Sequence, residues 1–460
     1  MKLDSTISIA SLDAPLTRFW ELSGQKIHLI SQSLDPSKGA PVFTEKGVYV
    51  SRGWTEWTQG FQYGAALLQF DATGDSEFLE IGRKNTVEKM APHLTHTGVH
   101  DHGFNNVSTY GNLLRLIQEG KITASGWEKE FYKLALKVSG AVQATRWTSI
   151  PGGGFIYSFN GPHSLFVDTM RSCRALVVSH MLGHVLQGEN DIRISLIQRA
   201  IQHMLSTVRY SIYYGKGRDS YDVSGRTAHE IIFNTNDGNY RCPNSQQGYT
   251  GFSTWTRGQA WAISGLGETL EILDQIHEED YSALISKEDL IAELKTAAIA
   301  TADFYLANTP SDGITYWDTG APGLQRMGDY LNLPADPFNG IEPVDSSAAC
   351  ITAQGLIRIA NFIKTTDPDR SARYHQAGIQ IAFHLFQEPY LSTDPSHQGL
   401  ILHAIYHQPN GWDYVPEPGK APYGESCIWG DYHARELALL LQRIKNNEPY
   451  YSFFNCVKPI

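Results

Sequence analysis

The feature that most restricts how this chain can fold is an alternation. Six segments share one grammar: a loop rich in Gly, Trp or His runs into a Ser, Thr or Asp, and an apolar helix follows. They read WTEWTQGF, GVHDHGF, LFVDTMRS, FSTWTRGQAW, PVDSSAAC and IWGDYHARE. Ser, Thr and Asp suit a helix N-cap, where a side-chain oxygen takes a free backbone N–H. Each segment alone therefore reads as a capped helix. What exceeds that reading is that the motif opens every other helix and skips those between. Alternate helices of antiparallel hairpins point the same way. If the hairpins close into a ring, all six loops lie at one mouth.

The helices themselves follow from apolar spacing. GFQYGAALLQFDATGD stops at a Gly-Asp turn, and SEFLEIGRKNTVEKMAP ends at Pro92. The pairs continue to GDYHARELALLLQRIKNN, giving about eleven or twelve helices and few alternating strand patterns. At 460 residues the chain exceeds the roughly 250–300 residues of a single ordinary core. No composition break divides it, so a closed repeating architecture in one all-α domain is expected. Residues 1–45 are expected to form an N-terminal extension packing on that ring. The mouth would gather Trp57, His100, Asp101, Asp168, Trp255, Arg257, Asp345 and Asp431. Such a cluster of polar and aromatic groups reads as an active site.

Several function classes fall away. The formal net charge is -11 and Lys and Arg are scattered, so nucleic acid is not an expected partner. No run of about 18 apolar residues occurs, so no membrane span is expected. The segment MKLDSTISIASLDAPL lacks a continuous apolar core. The expectation is no signal peptide and a cytoplasmic protein, or a periplasmic one if a leader has been removed. Cys173, Cys242, Cys350, Cys427 and Cys456 show no metal-site spacing and read as free thiols. Pro151-Gly152-Gly153-Gly154 is not followed by Lys-Ser or Lys-Thr, so it is no phosphate loop. His100-Asp101-His102 invites a metal reading, but adjacent side chains diverge and no second ligand pair is spaced to join them. Neither metal nor cofactor is expected. Aromatics make up 11% of the chain, including ten Trp and 23 Tyr. Many sit in the loops, where rings could stack on the C–H faces of sugars.

Taken in order, W-T-x-G-F (57–61), H-D-x-G-F (100–104), V-D-x-M (167–170), S-T-W-x-R-G-Q-A-W (253–261), Y-W-D (316–318), D-S-S-A-A (345–349) and G-D-Y (from 430) resemble the unsaturated glucuronyl hydrolases of glycoside hydrolase family 88. The resemblance spans roughly residues 50 to 445, and its most specific string is S-T-W-x-R-G-Q-A-W. It implies an (α/α)6 barrel, a six-hairpin toroid. It also implies removal of a 4,5-unsaturated uronic acid from the non-reducing end of oligosaccharides made by polysaccharide lyases. By position, Asp168 matches the family's catalytic acid/base and Asp101 its second essential carboxylate. His229 matches a histidine near the acid. Gln247, Trp255, Arg257 and Trp261 match pocket residues, and Trp57, His100 and Trp147 match more of the wall. Where the family's catalytic helix commonly continues with Asn, this one reads Asp168-Thr169-Met170-Arg171-Ser172, and 152–162 and 213–224 look like additions.

The chemistry asks for one group that gives a proton and then takes one. Protonating C4 of the enol ether creates an oxocarbenium-like centre at C5, water adds there, and the hemiketal opens to release the neighbouring sugar. A carboxyl in an apolar pocket suits this, because burial raises its pKa. Asp168 follows the apolar Leu165-Phe166-Val167 and is the expected acid/base, though an N-cap role would lower its pKa instead. Asp101 could orient water or hydroxyls and raise Asp168 by like-charge repulsion. The sugar carboxylate needs donors. Arg257 is one candidate, and Arg171, close to one helical turn after Asp168, is another unless it forms an ion pair. Asp345 and Asp431 read as helix caps. The alternatives to the leading function are an exo-β-glucuronidase on saturated glucuronides, a polysaccharide lyase, and a non-catalytic sugar-binding toroid.

Overall fold

A computed structural model describes residues 1–53 and 56–457. Trp54 and Thr55, which begin the first loop motif, lie outside the described residues, as do 458–460. Six helical segments begin at the six motif loops: 59–73, 102–118, 169–181, 256–272, 346–363 and 428–445. Each packs on the next, and the last packs back on the first, closing an inner ring. The outer helices Ser76–Lys89, Gly126–Thr145, Leu196–Ser206, Lys287–Ala307 and Pro368–Leu385 return the chain. The fold is an (α/α)6 barrel.

The N-terminal segment contributes the helix Asp13–Ser33, which packs on Gln59–Thr73 and Ile428–Lys445. It takes the outer position between the last and first hairpins. Its Phe19, Trp20 and Ile27 are buried, and each Å² of apolar surface so covered contributes about 25 cal/mol.

Inner helices are buried on nearly all sides. Every residue of Thr256–Ile272 except Glu271 is buried. Small residues make that crowding possible. A Cβ on Gly103 would lie 2.1 Å from the carbonyl oxygen of Ser172, so only glycine lets segment 102–118 approach the start of 169–181. That contact brings the second and third mouth loops together.

Short strands, which the helical spacing does not announce, organise the same mouth. Ser164–Phe166 pairs antiparallel with Glu230–Phe233, which pairs in turn with Tyr240–Asn244. The pairing extends to Val167, whose N–H donates to the His229 carbonyl at 2.9 Å. Two residues 61 positions apart, Asp168 and His229, are thus placed at adjoining ends of one small sheet. Among the described residues no helix is long and apolar enough to cross a membrane.

Candidate active site

A cavity of about 480 Å³ opens at the motif end of the ring. The first loop supplies Trp57, the second His100 and Asp101, the third Asp168, and the fourth Gln247, Trp255 and Arg257, with Trp261 below them. The connection before the sixth inner helix adds Tyr406, His407, Asn410 and Trp412. Two aspartates fix these loops by taking their backbone N–H groups. Asp413 accepts from Tyr406 and His407 at 2.6 and 2.8 Å. Asp318 accepts from Tyr249 at 2.8 Å and Gly320 at 2.8 Å. Trp57 stacks on Trp429 of the sixth motif with ring centres 5.0 Å apart.

Asp101 and Asp168 occupy N-cap positions, yet neither side chain caps its helix. Asp345 does, taking the N–H groups of Ser347 and Ala348 at 3.1 and 3.3 Å. That contrast separates the two cavity-lining aspartates from the capping Asp345 where the shared motif does not. Asp431 corrects the cap expectation differently. It sits inside the first turn of its helix and accepts the N–H groups of Leu400 and Ile401 and the Tyr49 hydroxyl.

The two uncapped carboxylates flank one histidine. His100 Nε2 lies 3.1 Å from Asp168 Oδ1, and its Nδ1 lies 3.7 Å from Asp101 Oδ2. Its backbone carbonyl is clamped by Gln143 Nε2 at 2.7 Å and Ser172 Oγ at 2.6 Å. On the other side of Asp168, His229 Nε2 lies 3.9 Å from Oδ2. His229 Nδ1 accepts backbone N–H groups from Gln246 and Gln247 at 3.1 and 3.4 Å. With Nδ1 occupied as acceptor, the ring proton belongs on Nε2, facing the carboxylate. Burial pushes His229 down to about 3, so it stays neutral.

The electrostatics overturn one expectation. Burial raises Asp168, but the hydrogen bond and charge of His100, followed by His229, outweigh it and hold the carboxyl below its ordinary value. The carboxyl that rises is Asp101. Burial pushes it to about 6, with the charge of His100 opposing and that of Asp168 adding. His100 is lowered by burial but raised more by Asp101 and by its hydrogen bond to Asp168, and ends above its ordinary value.

Other sequence expectations need correction. Arg171 does not reach the cavity. It is 1% exposed and pairs with Glu268 at 2.8 Å and Glu436 at 2.7 Å, the ion-pair reading. Arg257 borders the cavity, but its guanidinium is engaged by Asp345 at 2.6 Å, by the carbonyls of Ile405 and Tyr406, and by Gln247 Oε1 at 2.8 Å. It orients the Gln247 amide, turning the Nε2 end away from itself. Trp147 is no part of the cavity wall: its ring lies on Gly154, with the Arg199 guanidinium 4.8 Å away. Phe159, from the added loop, lines the wall and stacks on His100 with ring centres 6.4 Å apart. His229 stands one layer back, its ring 4.4 Å from those of Phe166 and Trp255. Sequence reasoning missed Phe159, Phe166, Tyr406, His407, Asn410 and Trp412. The one legible signal was the aromatic density of Tyr406-His407 and Trp412. Among the described residues, no three His, Cys, Asp or Glu are grouped to hold a metal ion.

No family model matches the chain. The chain is similar to the unsaturated glucuronyl hydrolase of Bacillus sp. (strain GL1), at 28% identity over 399 residues, 86% of this chain and 88% of that protein. It is similar to the unsaturated chondroitin disaccharide hydrolase of Streptococcus agalactiae serotype III (strain NEM316), at 22% over 416 residues, 89% of this chain and 86% of that one. The crystal structure of the Bacillus sp. GL1 enzyme superposes with a TM-score of 0.68 at 24% identity, covering 93% of this chain and 97% of that one.

Proposed function

We infer that this chain, which belongs with the unsaturated glucuronyl hydrolases or a close relative sharing their toroid, is a glycoside hydrolase that removes a 4,5-unsaturated uronic acid from the non-reducing end of an oligosaccharide. The observation that carries this reading at the site is the pair of cavity-lining aspartates, each at a helix start and neither spent as a cap. Asp168 is the acid/base in this reading. Its acid form gives a proton to C4, and its carboxylate takes one from the water that adds at C5. The hemiketal then opens without further help from the protein. Asp101, across His100, keeps a second carboxyl near the sugar hydroxyls. Trp57, Trp255 and Trp261 offer ring faces, and Gln247 offers an amide N–H. Among the described residues Arg257 is the one arginine lining the cavity, and in this reading it acts on the sugar through Gln247.

The test is ultraviolet absorbance. Lyase-generated disaccharides carry a conjugated double bond, and the enzyme should abolish their absorbance as it releases the second sugar. Persistent absorbance together with cleavage of p-nitrophenyl glucuronide would overturn the reading in favour of ordinary hydrolysis. Rising absorbance on a polysaccharide would make the protein a lyase.

A further inference from the structure

His100 is built as more than a wall. A ring that only filled space would need neither nitrogen addressed, whereas both of these face carboxylates, at 3.1 Å on the Nε2 side and 3.7 Å on the Nδ1 side. The ring plane is set by Phe159 and Phe166, with centres 6.4 and 5.6 Å away. The backbone carbonyl is held by Gln143 and Ser172, and turning the ring off the line between the two aspartates would break its packing on Phe159 and Phe166.

We propose that His100 stores the reaction's proton in the resting site and hands it to Asp168 across the Nε2–Oδ1 contact when substrate enters, while Asp101 steadies the imidazolium from the other side. The proposal rests on the acid/base reading of Asp168 given above. In the resting site His100 lies above its ordinary value and Asp168 below, so the shared proton sits on the imidazole and Asp168 alone could not act as an acid. An entering sugar expels water from the cavity. Losing solvent penalises the imidazolium–carboxylate pair more than the neutral pair, which drives the transfer. The step conserves protons: the imidazolium and the Asp168 carboxylate become a neutral imidazole and a carboxylic acid. Asp168 gives that proton to C4 and regains one from the water adding at C5, so the pair ends with the single proton it began with.

The surrounding charges confine that proton. Arg146, whose charge reaches His100 and Asp101, disfavours the imidazolium. Burial holds His203 and His229 near 3, so both stay neutral. Asp101, at about 6, is the carboxyl on the far side. His100 acts through Asp168 and is a positioning residue.

Two measurements test this. The first is an NMR titration of the histidine ring protons in the full-length protein, with His100 assigned from its loss in His100→Asn. The wild-type ring should titrate above 6.5, and Asp168→Asn should lower it by about one unit or more. A wild-type ring titrating at or below 6.5, or one unmoved by Asp168→Asn, overturns the proposal. The second is the pH–rate profile of His100→Asn on a lyase-generated disaccharide. Without its reservoir, Asp168 titrates alone and the alkaline limb should move down by about one unit. A uniform drop in kcat with the limb in place would mean His100 is only structural. Where His100→Asn fails to fold, Asp101→Asn serves instead, since it strips the opposing charge and should move the limb the same way. A wild-type enzyme that leaves the disaccharide untouched would sink the functional reading, while the NMR titration still locates the proton.

Discussion

Replacing Arg257 by Gln should cost the protein stability rather than a substrate ligand. The Arg257–Asp345 contact is 2.6 Å, with side chains 2% and 0% exposed. Two charges with centres roughly 4 Å apart attract by about 4 kcal/mol at an effective dielectric near 20. Removing one member of such a pair leaves the other buried and uncompensated, at a cost of about 3–5 kcal/mol. The carbonyls of Ile405 and Tyr406 and the Gln247 amide lose a donor as well, at about 1 kcal/mol each. Urea unfolding of wild type, Arg257→Gln, Asp345→Asn and the double variant isolates the pair. Asp345 also caps helix 346–363, but that loss is common to both backgrounds and cancels in the cycle. The expected interaction energy is at least about 2 kcal/mol, with the double variant more stable than the sum of the singles. If Arg257→Gln instead loses less than about 1 kcal/mol while KM rises about tenfold or more, Arg257 is a carboxylate ligand and the reasoning fails.

Asp101→Asn should change the pH dependence of stability. The carboxyl rises from its ordinary 3.8 to about 6 on folding, roughly two units or about 3 kcal/mol. Because the folded state holds this proton more tightly, wild-type stability falls as pH rises from about 4 to about 6, and the cost is fully present above that window. Denaturant midpoints should therefore favour Asp101→Asn above pH 6 and converge near pH 4; a constant offset would contradict the assignment. Arg171→Gln strands Glu268 and Glu436, and the melting temperature should drop while KM of the folded fraction holds; a raised KM with intact stability would return Arg171 to the substrate. Gly103→Ala places a Cβ 2.1 Å from the Ser172 carbonyl oxygen and should separate the second and third loops, seen as lost kcat and a lower melting temperature. Full activity at wild-type stability would refute that packing argument.

How much could be read beforehand depends on the range of the signal. Hairpin alternation is a local pattern repeated six times, so the toroid and its mouth were legible in the sequence, and Asp101, Asp168 and most aromatics came with it. The helix Asp13–Ser33 was passed over although its apolar residues recur at helical spacing, because no shared loop motif precedes it. The strands around Asp168 were hidden because Ser164–Phe166 is three residues long and buried throughout, with no alternation to detect. Long-range pairing was least legible. Arg257 looked like a free donor and Arg171 stood between a donor and an ion pair, since nothing in their neighbourhood announces Glu268, Glu436 or Asp345 across the ring. The sign of the Asp168 shift failed for the same reason. Burial follows from an apolar run, but the opposing hydrogen bond comes from His100, 68 residues earlier.

The central claim is that Asp168 protonates the double bond of an unsaturated uronate. It is met most directly by following the absorbance of a lyase-generated disaccharide with wild-type enzyme and with Asp168→Asn, after binding of the disaccharide to both has been confirmed. The wild type should abolish the absorbance, while the variant binds and leaves it unchanged, with kcat down at least about a thousandfold. A variant that binds and still turns over at the wild-type rate would contradict the account.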